Sequence, residues 1–237
     1  MGNTTLYYDL HLHSCLSPCG DREMTVNNIA NMAALKGLSV VALTDHNSCK
    51  NCPAFLKAAQ SAGIWAIPGM ELCTSEEIHL VCLFPRLENA MAFDDYVFRR
   101  LPPVPNRPDI FGEQLVLDSQ DQVIGQVEPL LINAADISIT QVADLMGDFG
   151  GAFFPAHIDK ASSSVTAVFG LIPEDCGIRA VEYSLNAGEE VIRRLRQCNP
   201  MLEGLPAFYN SDAHYLWDIS EPEHTLEEAF LEMFLGL

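Results

Sequence analysis

Two histidines and an acidic residue alternate near the start of the chain, in the segment YYDLHLHS. Successive side chains of a β-strand point to opposite faces, so Asp9, His11 and His13 would share one face of a strand. Leu10 and Leu12 would occupy the other face. Two imidazoles aimed at one point can bind a metal ion, but an isolated His-x-His pattern also suits a solvent-facing edge strand. The other histidines of the chain decide between these interpretations.

Six of the seven histidines occur in local settings that suit metal ligation, and carboxylates accompany them. Only His224, in an acidic segment, lacks such a setting. Beyond the first strand, the candidate ligands are His46, Glu71, His79, His157, Asp212 and His214. Neutral imidazole and carboxylate suit Zn, Mn and Fe, whereas Mg is less favoured. Because one tetrahedral site cannot use so many ligands, the sequence predicts two or three divalent ions, with a carboxylate such as Glu71 bridging them.

The elements that would position these side chains alternate between short apolar strands and helices. A helix is predicted over 25–37, because Thr25 suits its N-cap and Gly37 suits its C-terminal end. Further helices are predicted over 53–62, 138–148 and 189–197, and strands over 38–43, 64–68, 78–84, 152–156, 178–183 and 207–210. Continuous apolar strands between helices predict a parallel sheet covered on both faces and closed as an α/β barrel. Loops leaving the carboxyl ends of the strands would then bring the candidate ligands together.

One segment, residues 101–128, interrupts this alternation. It starts with a proline-rich loop and continues as two alternating runs around residues 118–121, which predicts a β-hairpin. Such an insertion either forms a lid or wall beside a site or is a solvent-facing excursion. The sequence leaves both interpretations open.

The motifs DLHLHS, TDH, GME, EIH, PAHID and NSDAH occur in an order that resembles the PHP domain, the polymerase and histidinol phosphatase superfamily. The resemblance extends from residue 7 to about residue 218, nearly the whole chain. It implies a distorted (β/α)7 barrel of the PHP type, here with the 101–128 hairpin inserted. It also implies a cluster of up to three metal ions and the hydrolysis of phosphoesters.

Carried over motif by motif, the resemblance implies three metal sites. The first would use His11, His13, Glu71 and Asp212, the second Glu71, His79 and His157, and the third His46, His214 and one ligand from the loop after His13. Cys19 and Asp21 are the two candidates for that last ligand, and their offset from His13 favours Cys19. A thiolate would favour Zn or Fe over Mg.

The implied reaction is attack by a metal-activated hydroxide on phosphorus. The residues expected to carry it are His11, His13, Glu71, His157 and Asp212, with Asp45 orienting a neighbouring ligand. Asp45 could equally be a turn or N-cap acid. Fixed cations would help to hold a phosphate, and Lys160, Arg22 and Lys50 are the candidates, although each also suits a solvated surface charge.

Composition narrows the expected partners and location. The 237 residues predict one domain, 1–237, with a core over about 7–218 and an acidic tail over 219–237. Thirteen Lys and Arg against 32 Asp and Glu give a net charge of −19, so we expect a small phosphorylated substrate and consider long nucleic acid an improbable partner. No apolar segment reaches the roughly 20 residues of a membrane span, and no secretory signal is evident. Eight cysteines without a signal predict reduced thiols in a cytoplasm.

The predicted activity is therefore metal-dependent hydrolysis of a small phosphomonoester or nucleotide. The alternatives are an exonuclease-like phosphodiesterase on short oligonucleotides, an amidohydrolase-type C–N hydrolase, and a metal-stabilised binding module. The segment CKNC, with Cys49 and Cys52, lacks a second cysteine pair at zinc-finger spacing and indicates structural thiols. The sequence does not indicate an oligomeric state.

Overall fold

The computed structural model describes residues 4–237, so the first three residues of the predicted domain lie outside the description. The strands of the described chain are β1 (Thr5–Leu12), β2 (Val40–Leu43), β3 (Trp65–Cys73), β4 (His79–Leu83), β5 (Leu115–Leu117), β6 (Val123–Gln126), β7 (Ala152–Pro155), β8 (Val181–Ser184), β9 (Ala207–Asn210) and β10 (Thr225–Glu227). Its helices are α1 (Val26–Leu35), α2 (Cys52–Ala62), α3 (Leu87–Phe98), α4 (Pro108–Phe111), α5 (Ile139–Phe149), α6 (Val165–Phe169), α7 (Glu189–Cys198) and α8 (Glu228–Leu235).

Six strands form one curled sheet in the order β10-β1-β2-β3-β4-β7, and β8 pairs with β9 in a second, parallel ribbon. The ribbon lies against β1, since Leu12 bridges to Ala213 and the ring of Tyr8 packs edge-on against Phe208. The α/β prediction is confirmed, although a count of seven β/α units is not established.

The prediction of an all-parallel sheet is wrong. Strands β1, β2 and β3 are parallel, but β4 runs antiparallel to both β3 and β7. The reason is the short connection between Cys73 and His79, which are opposite each other in the β3–β4 register. A parallel crossover needs about a dozen residues, whereas a tight turn suffices for an antiparallel pair.

Alternate residues of the central strand enter two different apolar cores. All four residues of β2 are buried; Val41 and Leu43 join one core, and Val40 and Ala42 join the other. The sheet is therefore covered on both faces, as its continuous apolar strands predict. In the described residues 4–237, no helix is both long and apolar enough to cross a membrane.

The helices form where their capping residues predict them, but the C-terminal segment 219–237 is not the acidic tail that was expected. Thr25 caps α1 by accepting from the Asn28 amide, and Gly63 ends α2 in the left-handed conformation. The segment predicted only as an acidic tail instead folds as β10, antiparallel to β1, and α8, which buries Leu231 and Leu235. The helix α8 packs on the protein despite its acidic residues, because its apolar residues complete the core beneath β1.

The 101–128 insertion contains the predicted hairpin, β5 and β6, and it packs on the loop that follows β1. The Leu115 amide donates to the Cys15 carbonyl at 3.0 Å. Gly112 has a φ of +87°, and a Cβ there would meet the Pro18 carbonyl oxygen at 2.9 Å. A glycine is therefore needed for this close approach, which fixes the insertion against the loop that carries Cys19.

Candidate metal centre

The alternation in β1 brings two imidazoles to one point. His11 and His13 are fully buried, and their Nε2 atoms lie 3.2 Å apart. Glu71, near the end of β3, approaches both, with 3.2 Å from Oε1 to His11 Nε2 and 3.4 Å from Oε2 to His13 Nε2. Asp212, just past β9, places Oδ1 3.5 Å and 3.1 Å from the same two nitrogens. These four side chains form a compact ligand set of the kind that holds a metal ion.

Glu71 lies at the centre of a larger group. Its Oε1 is 2.9 Å from His79 Nδ1 and 3.3 Å from His157 Nε2. Its Oε2 is 2.8 Å from His46 Nδ1. One carboxylate thus contacts five imidazoles, and each of its oxygens faces different rings. This arrangement suits a carboxylate shared between metal ions.

A third group forms where His13, His46 and His214 converge. Here Cys19 Sγ lies 2.9 Å from His214 Nε2. The Asp21 carboxylate instead accepts a hydrogen bond from the Glu23 amide at 2.8 Å. The structure therefore brings Cys19, rather than Asp21, to the imidazoles. In the absence of a cation, burial and the nearby Glu71 raise the pKa of the Cys19 thiol to about 12.

The pattern of hydrogen bonds points the Nε2 lone pairs of the first two histidines into the cluster. His11 Nδ1 lies 3.0 Å from both oxygens of Glu182, a buried acid of β8. Glu182 also accepts from the His157 amide at 2.9 Å and from Asn210 Nδ2 at 2.7 Å. Sequence reasoning missed Glu182; the only signal for it is one acid inside a short, mostly buried strand, VEYS. A carboxylate behind a ligating imidazole fixes its tautomer and orientation.

Asp45 acts on His13 through a serine. Ser17 Oγ donates to Asp45 at 2.8 Å and lies 2.9 Å from His13 Nδ1, so it accepts the Nδ1 proton. Ser14 gives Asp45 two further bonds, from its amide and its hydroxyl, both 2.7 Å. Burial raises the pKa of Asp45 to about 6. Asp45 touches no imidazole directly, and Ser17 is a second residue that sequence reasoning missed.

Asp9 shares a face with the two histidines but has a different task. It accepts from Ser211 Oγ at 2.6 Å and from the Ser220 amide at 3.0 Å. Those bonds tie β1 to the loop that follows β9. Asp9 therefore positions the backbone around Asp212 and His214 rather than a ligand ring.

Several buried polar atoms of the cluster have no hydrogen-bond partner. They are His46 Nδ1, Glu71 Oε2, His157 Nδ1 and Asp212 Oδ1. His46 Nδ1 approaches Glu71 Oε2 at 2.8 Å and His13 Nε2 approaches Asp212 Oδ1 at 3.1 Å, but neither contact has the geometry of a hydrogen bond. His157 and Asp212 also hold left-handed backbone angles, with φ of +30° and +53°. Unpaired buried polar groups and non-glycine residues at positive φ are both unfavourable, and they concentrate at functional sites. The donor set, imidazole and carboxylate oxygen, fits divalent metal ions that would satisfy these atoms.

Burial and mutual charges set the protonation of the cluster. Burial alone would raise the pKa of Glu71, but the histidines, His79 foremost, hold it well below its ordinary value. Burial alone would lower the pKa of His11, but the carboxylates, Glu182 foremost, raise it well above its ordinary value. For His13, burial holds the pKa well below its ordinary value. His13 is therefore a neutral imidazole, the form that binds metals.

The three basic residues predicted to contact substrate have different settings. Lys160 Nζ is 2.6 Å from Asp212 Oδ2 and remains 43% exposed, so it stands at the edge of the cluster. Lys50 is instead paired with the buried Asp94 at 2.5 Å and lies over the ring of Phe98. Arg22 is 79% exposed and lies 3.6 Å from Glu113. The structure places Lys160 beside the ligands and gives Lys50 a structural partner.

Two cavities flank Cys19. The first, of about 610 Å³, lies between the loop with Asp21 and Arg22 and the insertion, which supplies Pro108, Gly112, Glu113 and Leu115. The second, of about 600 Å³, is lined by Ser184, Asn186, Asp212 and His214 among others. The insertion is thus a wall beside the site, which resolves the choice left open by the sequence.

The thiols of Cys49 and Cys52 both face the Gly69 carbonyl oxygen, at 3.1 and 3.5 Å. Burial raises the pKa of the Cys49 thiol well above its ordinary value. A Cβ on Gly69 would meet the Cys82 carbonyl oxygen at 2.8 Å, so a glycine is needed two residues before Glu71. These contacts fit the structural interpretation of the CKNC segment.

A family model of the PHP domain matches residues 9–177, more than half of the 237 residues. The chain belongs to the PHP domain family. Members of this family are metal-dependent hydrolases, in agreement with a histidine and carboxylate cluster of this kind. The resemblance found in the sequence motifs is confirmed.

Known proteins of similar sequence or fold include an endonuclease, a phosphoesterase and a DNA polymerase. An endonuclease Q in complex with a 27-mer duplex with an abasic lesion at the active site has a TM-score of 0.62 and 19% identity, over 90% of this chain and 50% of that chain. A candidate metal-dependent phosphoesterase from Bifidobacterium adolescentis has a TM-score of 0.66 and 16% identity, over 99% and 97% of the two chains. An error-prone DNA polymerase from Symbiobacterium thermophilum is 38% identical over 77 residues, 32% of this chain and 7% of the polymerase. The PHP chain thus spans half of the endonuclease and a small part of the polymerase.

These neighbours correct one prediction. The expectation of a small phosphorylated substrate, with long nucleic acid an improbable partner, is wrong, because the endonuclease Q of this fold is bound to a long DNA duplex. The expectation came from the net charge of −19. Net charge sums the whole surface, whereas a ligand responds to the local field of its site, which bound cations can invert.

Proposed function

We propose that this PHP domain is a metal-dependent phosphoesterase that hydrolyses phosphodiester bonds in nucleic acid. The observation that carries the proposal is the convergence of five imidazoles on the buried Glu71 carboxylate, whose Oε2 lies 2.8 Å from His46 Nδ1 without the geometry of a hydrogen bond. The nucleic-acid substrate is supported by the endonuclease Q complex, which shares the fold over 90% of this chain.

The ligands fall into three groups around Glu71. We assign His11, His13, Glu71 and Asp212 to one ion, Glu71, His79 and His157 to a second, and His46, His214 and Cys19 to a third. His46 also approaches Glu71 at 2.8 Å, so it stands between the second and third groups. When bound, such ions activate a water molecule and neutralise charge on the phosphate. A thiolate in the third group would favour Zn or Fe there.

The remaining residues prepare the site and hold the substrate. Glu182 and Ser17 accept hydrogen bonds from the Nδ1–H groups of His11 and His13, which turns both Nε2 atoms toward the centre of the cluster. Lys160 is paired with Asp212 at 2.6 Å, and it stays charged because Asp212 raises its pKa against the opposing effect of burial. Lys160 would be free to contact a non-bridging phosphate oxygen if Asp212 ligated a cation.

The test is metal-dependent cleavage of defined substrates. Protein reloaded with Zn, Mn or Fe would be compared with chelator-treated protein on single-stranded and duplex oligonucleotides, with and without an abasic site. Mononucleotides, histidinol phosphate and amide or lactone substrates complete the panel. We expect metal-dependent strand cleavage. Phosphate release from monoesters alone would overturn the nucleic-acid assignment, and inactivity of metal-loaded protein on every phosphoester would overturn the phosphoesterase.

A pair of histidine variants ties the activity to the cluster. His157→Ala removes an imidazole that contacts Glu71 at 3.3 Å and should abolish cleavage while the protein stays folded. His224→Ala is the matched control, because this ring stacks on Tyr209 outside the cluster. Full cleavage by His157→Ala would contradict the assignment of the second group. Loss of folding rather than cleavage would indicate a structural metal site.

A further inference from the structure

The loop that follows β9 is held in place at both ends. Asp9 accepts from Ser211 Oγ and from the Ser220 amide. Lys36 Nζ donates to the Trp217 carbonyl at 3.0 Å and pairs with Glu221 at 3.0 Å. The backbone between residues 211 and 220 therefore has a fixed course, and the side chains that it displays are preorganised.

This fixed loop displays an aromatic ring beside the ligands. Tyr215 directly follows His214 in the chain, and it is 55% exposed. Leaving a large apolar side chain in water forgoes the free energy of burial, and exposed aromatic surface near a site commonly marks a binding surface. A ring on a rigid backbone also costs little entropy to use in binding, because few torsions must be fixed.

Tyr215 lies between the two cavities that flank Cys19 and lines both of them. The cavity of about 600 Å³ also contains Ser184 and Asn186, and the Ser184 hydroxyl has no hydrogen-bond partner. Each cavity falls within the roughly 300–1,000 Å³ typical of sites for small organic groups. One wall thus carries ligands for a metal ion, and the adjoining wall carries an aromatic face with polar groups around it.

We propose that Tyr215 is a stacking platform for a nucleobase next to the scissile phosphate, with Asn186 on the wall beside that base. The inference rests on the proposed nucleic-acid phosphodiesterase function and names a base-binding subsite for it. Every base presents a π-face, so stacking would hold the strand without selecting a sequence. With a surface of net charge −19, affinity from stacking would take over part of the role that basic residues play in other nucleic-acid-binding proteins.

The same loop offers a matched control. Trp217 is 80% exposed and is therefore the more accessible ring, but it lines neither cavity beside Cys19. If exposure alone attracted bases, Trp217 would matter more than Tyr215. If position beside the cavities decides base binding, only the substitution of Tyr215 should weaken it.

The experiment compares wild type, Tyr215→Ala, Tyr215→Phe and Trp217→Ala, all metal-loaded. Each would cleave an oligonucleotide and a matched one that lacks the bases on both sides of the scissile phosphate. We expect Tyr215→Ala to raise KM for the complete strand by about 5- to 150-fold, the range that corresponds to loss of one stacked base. KM for the strand without those bases should not change. Tyr215→Phe and Trp217→Ala should match wild type on both strands.

A binding readout separates this proposal from the proposed function. An oligonucleotide with 2-aminopurine beside the target phosphate loses fluorescence when that base stacks, whether or not the strand is cleaved. We expect quenching by wild type, Tyr215→Phe and Trp217→Ala, and none by Tyr215→Ala. Equal quenching or equal KM for Tyr215→Ala and wild type would overturn the stacking subsite. Quenching without any cleavage would leave the subsite standing and overturn the phosphodiesterase instead.

Discussion

At the scale of single residues, the side chains that cluster around Glu71 could be predicted from the sequence, but the residues that orient them could not. The alternation of His11 and His13 and the motifs around Glu71 and Asp212 are local patterns, and the structure brings these side chains together. Glu182 is 171 residues from His11 in the chain. A lone acid in a short strand gives no local sign of its partner, because only the complete fold brings the Glu182 side chain of β8 to His11 of β1.

Cys19 is the residue whose role most needs a direct test. Cobalt-substituted protein should show a thiolate-to-cobalt charge-transfer band in the near ultraviolet, because Cys19 Sγ lies beside His214 Nε2 at 2.9 Å. We expect Cys19→Ser to abolish that band and Asp21→Asn to retain it. Absence of the band in wild type, together with cobalt affinity that falls in Asp21→Asn and not in Cys19→Ser, would reverse the assignment.

Glu182 should control metal affinity without touching a metal. Replacing it with Gln keeps the shape of the side chain but removes the negative charge behind His11, so we expect metal affinity to fall by about 10- to 100-fold. Competition with a fluorescent chelator measures the dissociation constant. Glu190→Gln, at a side chain that is 87% exposed, is the control and should leave affinity unchanged. If both variants bound metal like wild type, Glu182 would have no role in orienting the ring.

At the scale of elements, local sequence signals predicted the helices, whereas the order and direction of the strands depend on which strands pair in the fold. The Thr25 cap and the Gly63 stop lie in the sequence itself, and the structure has helices at both places. The pairing of Thr5 with Glu227 in β1 and β10 joins opposite ends of the chain, and nothing local encodes it. Acidic residues on α8 suggested a solvated tail, because composition averages the two faces of an amphipathic helix.

The C-terminal helix should therefore contribute to stability. Leu231 is fully buried, so Leu231→Ala should lower the free energy of unfolding by about 2–5 kcal/mol. Met233, on the same helix, is 71% exposed, and Met233→Ala should change it by less than about 0.5 kcal/mol. Urea unfolding followed by circular dichroism measures both. Equal stability of the two variants would mean that α8 does not pack on the core as described.

At the scale of the whole molecule, net charge predicted the wrong partner. The net charge of −19 is a total over the whole chain, while the site concentrates histidines and places Lys160 at its edge. A strand held by metal ions, an aromatic face and one lysine needs few of the distributed phosphate contacts that a basic surface makes. Affinity for nucleic acid and a strongly acidic surface are compatible under that condition.

Binding of nucleic acid with few phosphate contacts from Lys or Arg predicts an unusually weak salt dependence. Each phosphate neutralised by Lys or Arg adds about −0.7 to −0.9 to the slope of log affinity against log salt. With Lys160 as the main contacting cation, we expect a slope near −1 for a non-cleavable phosphorothioate strand, measured by anisotropy on metal-loaded protein. Lys160→Ala should bring the slope close to zero, whereas Lys57→Ala, on the exposed side of α2, should leave it unchanged. A steep slope of about −6 in wild type would instead mean that many basic side chains contact the strand. Those basic side chains would then have to form a local positive patch on the otherwise acidic protein.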